Sequence, residues 1–505
     1  MGKIMKKTFH LILVCLAAAL GSLNACKMLD ADPVSEIPDS QMWQNQRDVN
    51  AGIAEIYASF RTALRTNWFC WGEMRSDNFV LYQELPNEYG KLILNQMTTD
   101  LPSTNWTTLY KVISNTNFAI QRIPEADITD QTLKNDYLAQ AYAMRALCYF
   151  YAVRVWGAVP VYLEPVDNLS KAKVVGRTPK DEVLRDVIIP DLETAESLID
   201  PSNVERKRIS RNAIYAILAD AQMWLGEWEA ADGTIDRFMS ANGSPDAAIR
   251  NSTVVFQPDL EALKNSFVNA LNNKAGDNNP KVDEYGDPNE FIFVIHQNIN
   301  EAGLSQYSMI WSILGCGTGQ GSSVVLSPKL QAIYEDAARS LPVDRRLEYY
   351  MCPSKSSAET YQVHKYMANG TSVKYQDYIN CQVAYPIYRY TDVLLMQAEV
   401  KANLDKWQDA LNLVRFVLQR AGVGSTLPNV SDFTSRDELI DYILDQKQIE
   451  QVGEGKRWFD LVRNHRVVEV MNPINGLSSE SEELFPISQT VLDLCQGAYE
   501  QNIGY

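Results

Sequence analysis

The residues best equipped for chemistry in this chain are aromatic. Trp68, Phe69 and Trp71 crowd into four positions and are followed by Arg75, Asp77 and Asn78, while Tyr307 and Trp311 stand in a stretch without helical pattern. Flat rings stack on the apolar faces of sugars while Arg, Asp and Asn satisfy hydroxyls, and the same set serves peptides. Trp68, Trp71, Arg75, Asp77, Asn78, Tyr307 and Trp311 are therefore the candidate ligand contacts. The competing reading, that the tryptophans plug the core beneath loops, stays open for each ring; the loop-like surroundings of Trp311 favour a ligand there. Trp106, Trp156, Trp224, Trp228, Trp407 and Trp458 fall in helical or helix-end pattern and read as core.

Catalytic chemistry is harder to find. Beyond His10 the chain has three histidines, His296, His364 and His465, far apart and in no metal-ligand spacing. No GxSxG elbow occurs. The alternating Gly315, Gly317, Gly319 and Gly321 resemble a phosphate cradle, but no Lys-Ser/Thr pair follows, so a flexible loop is expected. Asp283, Asp287 and Glu290 could share a hard cation such as calcium, although their spacing matches no standard loop. Nothing singles out a catalytic pair among 63 acidic residues. The expectation is a binding protein, not an enzyme, with no cofactor.

The N-terminus carries a third kind of chemistry. Lys3, Lys6 and Lys7 precede an apolar run from Phe9 to Leu20, about a dozen residues, which suits a signal peptide and falls short of the roughly 20 that span a bilayer. Leu23-Asn24-Ala25-Cys26 then resembles a bacterial lipobox, in which the cysteine thiol takes a diacylglycerol before cleavage ahead of it. The expected organisation is a signal peptide over 1–25, a lipidated tether over 26–40 with Pro33 and Pro38, and one domain over 41–505. Cleavage removes three lysines and no Asp or Glu, leaving 43 basic against 63 acidic residues, or −20. A surface so acidic repels phosphate backbones, which argues against nucleic acid. Six other mature cysteines, Cys70, Cys148, Cys316, Cys352, Cys381 and Cys495, form no CxxC and define no zinc site or disulfide framework.

Helical periodicity must position these residues. It predicts helices over 47–65, 106–122, 137–155, 210–225, 229–240, 391–403, 406–421 and 437–452, and one opening at Thr178-Pro179 that runs to about Ile199 with an irregularity at Pro190. Ala219, Trp228 and Ala231 have the same spacing as Ala398, Trp407 and Ala410, the pattern of tetratricopeptide-type hairpins in which a small residue admits a neighbouring helix and an aromatic fills the gap. The fold class is mainly α: a helical-hairpin scaffold, an α–α superhelix, over 41–240 and 387–505. A loop-rich insertion over about 241–386, with one strand at Phe291–His296 and little helical pattern before Leu326, is expected to carry recognition.

Against this pattern the chain resembles the RagB/SusD family of Bacteroidetes outer-membrane nutrient-binding lipoproteins. The resemblance rests on Arg389-Tyr390-Thr391-Asp392, on Asn412 to Arg415 before Arg420-Ala421-Gly422, and on Glu454-Gly455-Lys456-Arg457-Trp458-Phe459-Asp460. Leu484-Phe485-Pro486-Ile487, Gln501 to Tyr505 (with Ile503 where the family usually has Pro), Arg145 to Phe150, Val155 to Pro160, Trp106, Tyr110 and Asn117 add to it. Arg389 and Asp392 are expected to tie a helix start, and Arg457 and Asp460 to pair at i,i+3. The resemblance implies a surface-exposed lipoprotein of the outer membrane that captures oligosaccharides, or sometimes peptides, and passes them to a TonB-dependent SusC-like transporter. Asp30 and Asp32 after Cys26 are similar to the export signal of such lipoproteins. The family's ligand loops vary, so the resemblance assigns no ligand residue.

Overall fold

The computed structural model describes residues 42–82, 88–166, 173–243, 256, 259–269, 290–297, 313–314, 324–353, 359–366, 383–423, 427–495 and 497–505. Cys26, Asp283, Asp287, Tyr307 and Trp311 lie outside them. Helix α1 (Gln46–Leu64) opens because the Asn45 side chain accepts from the backbone N–H of Arg47 at 2.9 Å and of Asp48 at 3.2 Å, groups the helix cannot satisfy itself. It packs on α2 (Thr107–Arg122), α2 on α3 (Gln131–Trp156), and α3 on α4 (Ile189–Leu198). Every residue of α3 from Ala143 to Trp156 is buried. A helix buried all round belongs at the centre of a fold, and α3 is that centre, with its two buried arginines, Arg145 and Arg154, paired to Asp191 and Asp220.

The irregularity expected at Pro190 is present. A short helix, Lys180–Val183, widens into a π turn over Leu184–Ile188 before α4 resumes, which keeps the Pro190 ring clear of the carbonyl it would meet in a regular helix. The cap falls one residue later than expected. Pro179 is the N-cap, and Thr178 instead pairs with Val159 in a two-residue antiparallel bridge.

The repeated hairpins are real down to individual hydrogen bonds. The first pairs α5 (Arg211–Trp224) with α6 (Trp228–Asn242), the second α7 (Tyr390–Asn403) with α8 (Trp407–Arg420). In the first turn Gly226 N–H donates to Met223 O and Glu227 N–H to Gln222 O; in the second Asp405 donates to Ala402 O and Lys406 to Lys401 O. Both are Schellman closures, with the pivot left-handed at Gly226 (φ 70°) and Asp405 (φ 58°). Ala219, Ala231, Ala398 and Ala410 are all fully buried where the helices meet. A third hairpin, undetected by that spacing, uses the same closure at His465 (φ 54°) between α10 (Arg457–Arg463) and α11 (Val467–Asn475), following α9 (Arg436–Gln451).

The 241–386 region is more regular than its composition suggests. It includes a helix over Leu260–Asn269 that buries Leu260, Leu263 and Phe267, and another over Pro328–Arg339. Its strands pair antiparallel: β1 (Phe79–Leu81) with β3 (Val324–Leu326), β2 (Phe291–Gln297) with β6 (Val383–Arg389), and β4 (Met351–Pro353) with β5 (Tyr361–Val363). β6 runs directly into α7, so the insertion is bonded to the scaffold through strand pairing. Buried apolar residues from Trp43 to Tyr499 form one contiguous core. Among the described residues no helix is long and apolar enough to cross a membrane.

Candidate ligand site

The structure places the 68–78 candidates inside the protein, which corrects their reading as a ligand surface. Trp71 is fully buried, and its indole N–H donates to Ser103 O at 2.8 Å. Trp68 stacks on Tyr385 at 4.5 Å and 13°. Gly455, at φ 69°, lies against the Trp68 ring, and Gly72 is so close that a Cβ there would stand 1.9 Å from Gly455 O; only glycines permit this crossing. The Arg75 guanidinium donates to Glu483 O at 2.8 Å and Asn95 Oδ1 at 2.9 Å while lying 4.2 Å over the Trp458 ring. Asp77 takes Arg457 at 2.9 and 3.2 Å, and Asn78 is held between Glu73 and Gln448. The Trp71 N–H, the terminal Arg75 nitrogens, the Asp77 carboxylate and the Asn78 amide are bonded to the protein and buried away from a ligand. The aromatic crowd joins the N-terminal helices to the C-terminal ones and pins β1.

A buried ion cluster lies behind this turn. Arg389 donates to Glu290 Oε1 at 2.7 Å and Glu454 Oε2 at 2.8 Å, Arg420 to Glu290 and Glu450, and Lys365 to Glu454; all six side chains are fully buried. Burial works against the Glu450 carboxylate, but Arg420, Arg389, Arg346 and Lys365 outweigh it and hold its pKa down at about 2. Glu290 is thus committed to two guanidiniums, which argues against its expected part in a calcium site. Arg389 and Asp392 tie the helix start of α7, as expected, through the backbone. The backbone N–H of Arg389 donates to Asp392 at 2.7 Å, while the Arg389 side chain serves the cluster. Arg457 likewise pairs with Asp77 across the fold, and Asp460 with Lys447 and Arg463.

The N-terminal motif residues are also structural. Arg145 holds Asp191 through two bonds of 2.8 Å and donates to Asn117, Tyr110 hydroxyl donates to Pro160 O, and Trp106 meets Trp156 edge to face. The tryptophans read as core are so placed, with Trp228 and Trp407 half-buried against the apolar core. His364 accepts from Lys264 at 2.9 Å, and burial together with that ammonium holds its imidazole down at about 4. Among the described residues no group of His, Cys, Asp and Glu could hold a metal ion.

The concavity suited to a ligand is elsewhere. A groove of about 430 Å³ opens between α1 and β2, lined by Ala54, Tyr57, Ala58, Phe60 and Arg61, by Phe293 to Ile295, and by Glu205, Lys207 and Arg208. Phe60 and Phe293 stack at 6.3 Å to form its floor, with Tyr57 edge-on to Phe293 at 6.5 Å. Its wall is pinned at three points. Asn203 donates to Asp136 at 3.0 Å, Ile209 N–H donates to the Tyr57 hydroxyl at 2.8 Å, and Val294 N–H donates to Arg206 O at 2.9 Å. Arg208 lies over Tyr57 at 5.9 Å, tethered to Asn50 Oδ1 at 3.2 Å. Phe60 and Phe293 are each about 1% exposed, so the half-buried Tyr57 ring is the aromatic surface this groove offers. The available sequence signal was the basic triplet Arg206-Lys207-Arg208 in a chain of net charge −17; Asn50, 158 residues before Arg208, and Val294, about 90 after Arg206, lie beyond the reach of local spacing.

Comparison with known proteins agrees with this architecture. Residues 345–505 match the SusD family model, and residues 27–222 match a model described as starch-binding and associating with the outer membrane. A SusD-like protein, P38, of Formosa agariphila is 29% identical over 492 residues, covering 92% of each chain. Among solved structures, NanU of B. fragilis superposes with a TM-score of 0.71 at 22% identity, covering 94% of this chain and 99% of that one. A laminarin-binding SusD-like protein superposes with a TM-score of 0.72 at 19% identity, covering 92% and 100%. With the motif residues in order and the helical scaffold in place, the chain belongs to the SusD/RagB family.

Proposed function

We propose that this protein is a non-catalytic, glycan-binding lipoprotein of the outer membrane, anchored through Cys26, which passes oligosaccharides to a TonB-dependent transporter of the SusC type. The observation that carries the reading is the match of residues 27–222 to a family described as starch-binding and associating with the outer membrane, on a chain whose curated relative shares it nearly end to end. The names of a laminarin-binding neighbour and of a starch-binding family model support a carbohydrate ligand. The buried ionisable clusters support binding over catalysis, since their charges are spent on one another. Tyr307 and Trp311 stay proposed ligand contacts.

Calorimetry of the full-length lipoprotein in detergent against neutral oligosaccharides, acidic oligosaccharides and mixed peptides tests the ligand class. Heat from a saccharide is expected; heat from peptides alone overturns the glycan reading. Co-purification of a barrel protein with the affinity-tagged chain from its native membrane tests delivery, and its absence would sink the transporter partnership.

A further inference from the structure

We infer that the turn over Glu480–Glu483 is a proton-operated catch: with Glu483 protonated the turn stays seated on Arg75, and loss of that proton loosens it. The catch is independent of the ligand reading above.

Residues Glu480–Glu483 form one 3₁₀ turn, opened by the Ser479 side chain, which accepts from the Ser481 N–H. Side chains three apart eclipse in such a turn, so Glu480 and Glu483 project to one side as a like-charged pair. Glu480 is solvent-exposed, with His465 Nδ1 at 3.6 Å. Glu483 is half-buried, and its Oε1 is enclosed without a hydrogen-bond partner. An enclosed carboxylate oxygen without a donor disfavours the charged form, and a proton removes that cost.

The cations around the turn are committed elsewhere. The fully buried Arg75 guanidinium lies against it, yet its terminal nitrogens are taken by Glu482 O, by Glu483 O at 2.8 Å and by Asn95 Oδ1 at 2.9 Å. Asn95 and Ser478 donate to the Glu482 carboxylate at 3.1 and 3.2 Å. Lys180 faces Glu483 from the helix Lys180–Val183 but has Asp181 at 3.9 Å, and the Tyr505 hydroxyl donates to Leu484 O at 3.1 Å. Burial and Glu480 outweigh Lys180 and Arg75, so the Glu483 carboxyl is lifted from its ordinary 4.5 to about 7. The turn itself buries no residue, while Leu477 and Phe485 on either side are buried and Phe485 N–H donates to Val155 O at 2.8 Å. Segments held by few buried contacts open before the core does, so loss of the proton acts on 478–484 and leaves the helices in place.

Hydrogen exchange of the full-length lipoprotein in detergent, followed by mass spectrometry, tests the catch. The parent is compared with Glu483→Gln, which stays neutral at every pH, so the comparison cancels the intrinsic pH dependence of exchange. At about pH 6 the peptide over 478–484 should exchange alike in both, and at about pH 8.5 at least about fivefold faster in the parent. Peptides from α3 should not differ. Glu480→Gln, at an exposed position, removes the repulsion and should move the parent's transition to lower pH. Equal exchange of the parent and Glu483→Gln at the upper pH, a difference that spreads to α3, or a transition unmoved by Glu480→Gln overturns the inference.

Discussion

Trp71 shows how a residue can carry the right chemistry in the wrong place. Its ring is fully buried between Trp156 and Tyr151, and its N–H is spent on Ser103 O. Trp71→Ala is expected to cost about 3–5 kcal/mol of stability, the range for deleting a buried aromatic, read as a shift in the urea midpoint. Glycan affinity of the fraction that stays folded should be unchanged, and a lost affinity with unchanged stability would restore Trp71 as a contact. Asp77 belongs to the same class. Burial raises its pKa, but Arg457 and Lys329 more than compensate and hold it below the usual carboxylate range. Asp77→Ala removes the carboxylate hydrogen-bonded to the buried Arg457, leaving it only the longer-range charges of Asp445 and Asp460, and the expected loss is about 3–5 kcal/mol by the same denaturation measurement. Sequence distance hid these roles, because Asp77 and Arg457 are partners only after the two halves of the chain come together.

Hairpins are the unit at the next scale, and their turns differ in quality. Gly226 adopts its left-handed conformation freely, whereas Asp405 holds φ 58° with a side chain attached. Asp405→Gly is therefore expected to stabilise the second hairpin by up to about 1 kcal/mol, seen as a raised thermal midpoint; a lowered midpoint would mean that the Asp405 side chain contributes more than its backbone strain costs. These hairpins were legible in sequence because the small and aromatic positions that make them pack recur at one spacing. The third hairpin and strand β6 were not. The third turn has His465 at its pivot and Val467 where the others have tryptophan, and β6 leads straight into a helix, so the short apolar run before Arg389 reads equally as helix. The helix over Leu260–Asn269 did leave a signal, Leu260, Leu263 and Phe267, too brief to stand out in a stretch rich in Asn and Asp.

For the whole molecule the buried ion clusters set the response to acid. Burial penalises the Glu399 carboxylate, but Arg463 and Lys447 outweigh it, so that Glu399, like Glu450, titrates at about 2 in the folded protein instead of its ordinary 4.5. A depressed carboxylate contributes its full stability above the unfolded value and loses it as pH falls through the folded one. His364, held near 4 by burial and Lys264 against an ordinary 6.5, acts in the same direction over a higher window. Glu483, raised to about 7 by burial and Glu480, acts in the opposite direction between about 7 and 4.5, so thermal midpoints are expected to change little there and to drop between about 4.5 and 2. A His364→Gln variant should leave the Glu483 contribution unopposed, so that its midpoint rises from pH 7 to pH 5, and a profile unchanged from the parent over that window would rule His364 out. Placement is a separate property. Cys26→Ala is expected to release the protein from the membrane fraction while leaving its glycan affinity unchanged in calorimetry, and reduced affinity would tie the lipid to binding.

From sequence alone the helical class, the hairpin repeat and the family were determined, because each is written in local spacing that survives without knowledge of neighbours. The leader and Cys26 were likewise readable as an expectation, from charge, an apolar run and a thiol in order. Tertiary structure decided which polar and aromatic residues are spent inside the protein and which face outward. Trp68, Trp71, Arg75, Asp77 and Asn78 look like a binding kit in one dimension and become an internal joint in three, since Tyr385, Gln448, Arg457, Trp458 and Glu483, which cover and bond them, lie more than 300 residues along the chain. The groove was invisible for the converse reason: Tyr57, Lys207 and Phe293 share no spacing until α1, the 205–208 wall and β2 converge.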